Sequence, residues 1–244
     1  MVTTLYLVRH GETEGSETKR YKGSIDVPLS EKGTGQVKVA SAFIREYLRN
    51  ASSSRHMSYL KDIHGSSDDR ADARSGESPG SNPEIQSFQA SGLQAVYTSD
   101  LNRAVRSAEI IAGPYGIKPV ETPDLRERSF GIWEGMTFNE IKEKYPEEFE
   151  SWANNPLKYS PIEGESTLGV KDRIIPSLTK ILDNHKGENI AVVAHGGVNR
   201  IILCHFLGIP LENIFRIEQD YAAVNIIELW DKYPVVKLIN GGHR

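Results

Sequence analysis

Residues 3–8 (TTLYLV) carry apolar side chains on both parities of an extended chain, the pattern of a strand covered on two faces. The run ends abruptly at Arg9, His10 and Gly11, a poor continuation for a strand. After a loop, Pro28, Leu29 and Ser30 read as a helix start, and Val37, Ala40, Phe43, Ile44, Tyr47 and Leu48 follow at helical spacing. LQAVYTS (93–99) is a second strand, with Ser99 or Asp100 placed to cap a helix from Leu101 to about Ala112, stopped by Gly113 and Pro114. Thr137 and Glu140 form a capping-box pattern for a helix ending near Tyr145, and Pro146 opens another through Trp152. These two helices are expected to cover one edge of the strands. Ser166 can cap a long helix to about His185, in which Pro176 predicts a kink or a new first turn.

ENIAVVAHGG (188–197) then repeats the opening design of strand, histidine and glycine. The helix VNRIILCHFLG and the strands AAVNIIELW and VVKLI close the chain. Strands alternating with helices predict a three-layer α/β/α sandwich around a mostly parallel sheet. Residues 51–92 break this texture with eleven serines, Pro79, Pro83 and the charged run DDRADAR. They read as a mobile insertion, more a solvated loop than a lid. No linker separates folded halves, so residues 1–244 are expected to form a single domain interrupted at 51–92.

Composition narrows the partners. The formal net charge of −4, from 29 Lys+Arg against 33 Asp+Glu, gives no long-range attraction for a polyanion, so nucleic acid is not expected as a partner. Any anion site must be local. Aliphatic runs such as IAVVA fall far short of the roughly 18 residues that span a bilayer, so no membrane partner is expected. The single Cys204 cannot form an intramolecular disulfide and sits on an apolar helix, where it reads as packing. With no charged-then-apolar leader pattern at the N-terminus, a cytoplasmic monomer or homodimer is the expectation.

In open α/β sheets, ligands collect at the carboxyl ends of strands. His10 and His195 both stand at such ends and are expected to face each other; the glycines that follow, Gly11 and Gly196, allow close approach. Two imidazoles could suggest a metal, yet there is no HxxxH pair or cysteine cluster, and Arg9 would repel a divalent cation. No metal or cofactor is expected; an anion is the better guest. Arg9 supplies a planar fork for phosphate oxygens, and Arg103, in TSDLNRA (98–104), supplies another. Two guanidiniums around a histidine hold phosphate and disfavour protonation of the ring, leaving it nucleophilic. His10 is then placed to attack phosphorus while Arg9, Arg103 and His195 hold the oxygens. A leaving alkoxide needs a proton, for which LRERSFG (125–131) offers Glu127, with Arg126 and Arg128 expected on the opposite face. Trp133, Phe138 and Trp152 read either as core aromatics or as the entrance to a pocket.

The blocks RHG (9–11), ET (12–13), PLSEKG (28–33), YTSDLNRA (97–104), LRERSFG (125–131), EGES (163–166) and HGG (195–197) occur in this order over nearly the whole chain outside 51–92. Together they resemble the histidine phosphatase superfamily, which has the phosphoglycerate mutase-like fold. The resemblance implies that His10 is the phosphorylated nucleophile, that Arg9, Arg103 and His195 form the phosphate pocket, and that Glu127 is the proton donor. Residues 130–149 look like the phosphatase branch, including broad-specificity and α-ribazole phosphatases, and lack the YG-x-LQGLNK-like segment of mutases. The chain departs from many such phosphatases at Gly15 and Ser16, where Trp-Asn is frequent, and at Lys22, where Gln is frequent. Ser16 could donate one hydrogen bond to substrate, and Lys22 could bind an anionic one. The implied activity is metal-independent hydrolysis of small phosphorylated metabolites through a phosphohistidine. Phosphoglycerate mutase is the alternative enzyme, and a non-catalytic phospholigand-binding protein the alternative from another class.

Overall fold

The computed structural model describes residues 2–51, 92–230 and 233–242. Strand β1 (Thr3–Arg9) turns Leu5 and Leu7 to one face and Tyr6 and Val8 to the other, all of them buried. Such a strand needs cover on both sides. Helices α1 (Glu31–Ala51) and α2 (Asn102–Ala112) supply one cover, packing Val37, Ala40, Ile44, Ala108 and Ile111 against Tyr6 and Val8. Helices α5 (Thr167–Asp183) and α6 (Gly196–Leu207) supply the other, with Val170, Ile174, Leu178, Val198 and Ile202 against Leu5 and Leu7. The result is the predicted three-layer sandwich. Between α2 and α5 lie the short helices α3 (Phe138–Lys144) and α4 (Pro146–Asn154).

With β2 (Ala95–Thr98), β3 (Val120–Glu121), β4 (Asn189–Ala194), β5 (Val224–Leu229) and β6 (Pro234–Gly241), the sheet order is β3-β2-β4-β1-β5-β6. β4 is parallel to β1 and β2, and β3 to β2; β5 is antiparallel to both β1 and β6. Only β5 therefore runs against the rest. Strands from both sides of residues 52–91 enter this one sheet. The expectation of a mobile insertion falls on those residues and lies outside the described ones. Among the described residues no helix is long and apolar enough to cross a membrane.

The helix starts follow local chemistry. Ser30 Oγ accepts from the Gly33 N–H at 3.0 Å, and Ser166 Oγ accepts from Gly169 N–H at 3.0 Å. Thr137 and Glu140 complete their reciprocal box, at 2.7 and 3.3 Å. α5 runs unbroken through Pro176. The cap predicted for α2 is a correction. Neither Ser99 nor Asp100 caps it; Asp26 Oδ1, from a distant loop, accepts from Asn102 N–H at 2.8 Å. Asp100 is instead bound by both Nε and a terminal nitrogen of Arg126, at 2.6 and 2.5 Å.

Candidate active site

The parallel register of β1 and β4 sets Arg9 opposite Ala194, so His10 and His195 leave the sheet side by side. His10 N–H donates to Ala194 O at 3.0 Å, and the two rings stand 5.1 Å apart at 62°. Beyond them the chain diverges to α1 on one face and α6 on the other, which opens a crevice at that point. Because β5 runs in reverse, its N-terminal approach reaches the same end: Arg9 N–H donates to Ala223 O at 3.0 Å, and Ala222 N–H to His10 O at 3.1 Å. Gly11 lets the loop after His10 lie on α1, since a Cβ there would meet the Gly33 backbone and sit 2.9 Å from Val37 Cγ2.

His10 Nδ1 lies 2.7 Å from Gly11 O. A carbonyl only accepts, so in the neutral ring Nδ1 carries the proton and Nε2 keeps its lone pair. Burial, followed by the charges of Arg9 and Arg103, pushes the His10 pKa well below its usual value. The sequence ascribes this to like charge alone; burial is the larger cause. His195 is driven down in the same way, by burial and then by His10, Arg103 and Arg9. Its Nε2 is 2.7 Å from Ser99 Oγ, while its Nδ1 is buried without a hydrogen-bond partner.

Both rings resist protonation in the folded protein, their pKa values held well below the ordinary 6.5 at which the unfolded chain takes up protons. Below that pH the unfolded state binds more protons, so stability is full above it and falls as pH drops toward the lowered folded-state values. Two such groups give a slope of at most about 2.7 kcal/mol per pH unit. Denaturant unfolding at pH 7.5, 6.5 and 5.5 is expected to show this loss below 6.5, with a slope about half as steep in His195→Gln.

Around the rings lies an anion cradle. One terminal nitrogen of Arg9 donates to Gln219 O at 2.5 Å, its guanidinium stacks 3.9 Å above the centre of the Tyr221 ring, and its Nε is buried without a partner. Arg103 is 2% exposed and donates to Ile25 O and Gly23 O at 2.8 and 2.7 Å. Those bonds occupy two of its five donors. Glu127 accepts from Arg128 N–H at 2.9 Å through Oε1 and from Gly197 N–H, in the first turn of α6, at 3.1 Å through Oε2. Each oxygen keeps a lone pair for a proton.

The loop that carries Glu127 is clasped from α5. Arg173 pairs with the Glu165 carboxylate at 2.8 and 2.9 Å and donates to the carbonyls of Asp124, Arg126 and Glu127 at 2.6, 2.9 and 3.2 Å. Arg128 donates to Glu165 O, Thr167 Oγ1 and Tyr159 O. The guanidiniums beside Glu127 are thus engaged elsewhere, though not through strand alternation: residues 123–125 form a 3-10 turn and the segment after it is no strand. A Cβ on Gly197 would lie 2.6 Å from Glu127 Oε1. Gly197→Ala is therefore expected to displace the carboxylate and lower kcat by about 10²-fold, with the melting temperature nearly unchanged. Steady-state kinetics and a thermal melt on the same sample check both halves.

A cavity of about 510 Å³ is lined by Arg9, His10, Arg103, Glu127 and Gly196 at one end, with Ser16 and Lys22 on its wall. His195 is fully buried beneath that wall and is not part of it. Ser16 Oγ bonds Thr13 Oγ1 at 2.9 Å and accepts from Tyr221 OH at 3.2 Å. Lys22 Nζ donates to Thr13 Oγ1 at 3.0 Å and to Glu14 O. Trp133, Phe138 and Trp152 all line the cavity, although Trp133 is also buried like a core residue.

Residues 5–58 and 85–241 match the Histidine phosphatase superfamily (branch 1). The chain belongs to that superfamily. Among its relatives this histidine phosphatase is 33% identical to the metal-independent phosphoserine phosphatase of Arabidopsis thaliana, over 82% of this chain and 67% of that one. It is 26% identical to phosphoserine phosphatase 1 of Hydrogenobacter thermophilus, over 97% and 91% of the two chains. Its fold is that of the alpha-ribazole phosphatase from Shigella flexneri, with a TM-score of 0.74 at 20% identity over 98% and 96% of the chains. Several site residues of this histidine phosphatase carry no signal in the sequence. Ser99 reads there as a helix cap but holds His195, while Gln219, Tyr221 and Arg173 reach the site from remote segments. The doubled glycine of HGG was the available clue to Gly197.

Proposed function

We propose that this histidine phosphatase hydrolyses phosphomonoesters of small molecules through a phosphohistidine on His10. The observation that carries the reading is the Nδ1 bond to Gly11 O, which keeps the Nε2 lone pair available on a neutral ring between two guanidiniums. Nε2 attacks phosphorus as the ester P–O bond breaks, and Glu127 passes its proton to the departing alcohol oxygen. Arg9 and Arg103 neutralise the phosphoryl oxygens, and His195, buried beneath the wall beside the His10 ring with Ser99 donating to its Nε2, keeps an unpartnered Nδ1–H whose dipole adds to the field there. The bond to Gly11 O supports the positive charge that develops on the His10 ring. Water then gives a proton to Glu127 and attacks phosphorus, the P–N bond breaks, and His10 returns to its neutral state.

The named activities of the relatives support a phosphomonoesterase, and one of those names states metal independence. Incubation of the purified protein with phenyl phosphate and with 3-phosphoglycerate, both in EDTA, tests the reading. Inorganic phosphate should be released without 2-phosphoglycerate. Loss of turnover in EDTA, or conversion to 2-phosphoglycerate without free phosphate, would overturn it.

A further inference from the structure

The far end of the active-site cavity is unlike its phosphate end. From α3 and α4, Phe138, Phe149 and Trp152 form one aromatic cluster, with ring centres 4.9, 5.7 and 6.4 Å apart, and all three face the cavity. Ile201, Ile214 and Phe215 also line it. Phe215 is 72% exposed and Phe138 45% exposed, so aromatic surface stands in water at the rim.

The polar groups on the wall say what the cavity disfavours. Among the described residues that line it Glu127 is the one carboxylate, and both of its oxygens already accept backbone N–H bonds beside the phosphate end. An amino alcohol phosphate would leave its ammonium there without a second anion to meet. Of the cations lining the cavity, all but the exposed Lys19 are committed: Arg20 is held by Glu140 through both terminal nitrogens, Lys22 by Thr13 Oγ1 and Glu14 O, Arg128 by two carbonyls and a hydroxyl, and Arg200 by Ile217 O. A second phosphate on the substrate would have to break such bonds or pair with Lys19 in water, where an ion pair contributes little.

We infer that this site is selective for phosphomonoesters of apolar alcohols, aryl or medium-chain alkyl, over those of amino alcohols and over bisphosphates. This inference rests on the phosphatase reading above and adds the chemistry of the leaving group. Each methylene moved from water onto the apolar wall raises kcat/KM roughly four-fold until the cavity is filled.

The test measures kcat/KM for methyl, butyl and hexyl phosphate, 1-naphthyl phosphate, phosphoserine and fructose 1,6-bisphosphate. Values should climb along the alkyl series, and naphthyl phosphate should exceed phosphoserine and the bisphosphate by at least ten-fold. In Trp152→Ala the ratio of hexyl to methyl phosphate should fall at least five-fold. Phe215→Ala, at an exposed rim position where truncation leaves the fold intact, should lower the same ratio in smaller measure. A flat alkyl series, unaltered ratios in both variants, or a preference for phosphoserine or the bisphosphate overturns the selectivity while the phosphatase reading stands. Failure to cleave any ester overturns both.

Discussion

His10→Asn is expected to lower kcat by at least about 10⁴-fold while inorganic phosphate still binds. Asparagine offers an amide N–H to Gly11 O, as Nδ1 does in the native ring, and it leaves Arg9 and Arg103 with their carbonyl partners. What it lacks is the lone pair at Nε2. Rapid quenching of the native protein and a labelled ester into alkali should trap a base-stable phosphoryl group that acid then releases. The variant should trap none, and its phosphate affinity, read by calorimetry, should stay within a few-fold. Retention of a tenth of the native turnover would remove His10 as the nucleophile.

Glu127→Gln should separate the two halves of the reaction. Glutamine keeps an oxygen for one of the two backbone N–H groups that hold the native carboxylate, so the loop clasped by Arg173 has no reason to move. It cannot supply or accept the proton. For alkyl phosphates, whose alkoxides leave poorly, kcat should fall by about 10² to 10⁴-fold. With p-nitrophenyl phosphate the leaving group departs unaided, so the first step survives and only the attack of water is slowed. Stopped-flow absorbance should then show a burst of one nitrophenol per active site followed by a slow phase. Equal losses on both ester types without a burst would give the proton transfers to another group.

How far the sequence showed this site depended on the range of the signal. The strand, histidine and glycine units at residues 3–11 and 189–197 are local patterns: a run buried on both faces gives way to an imidazole, preceded in the first unit by the cation of Arg9, and the parallel pairing of the two runs brings both rings to one end. The caps at Ser30, Thr137 and Ser166 are equally local. β3, two exposed residues, has no apolar pattern to reveal it. Ser99 stands where a helix cap belongs, and only tertiary packing turns its hydroxyl to His195 while Asp26 takes over the cap. Gln219 acts through its own backbone carbonyl, a role that leaves no mark on residue type, and the Arg173 guanidinium reaches carbonyls of a loop remote in sequence. The lowered basicity of His10 follows from its neighbours in sign, but its larger cause, burial, belongs to the completed fold.

The reversed strand β5 also governs when the centre can assemble. β1 lies between β4 and β5, so it is made before both of its flanks, which residues 189–194 and 224–229 supply. Until those have emerged from the exit tunnel, the backbone amides and carbonyls of β1 have no ladder to join and His10 has no neighbouring imidazole. His10, the proposed nucleophile, is translated before either flank and seated only after both, so a nascent chain halted short of β5 holds that residue without its full seat.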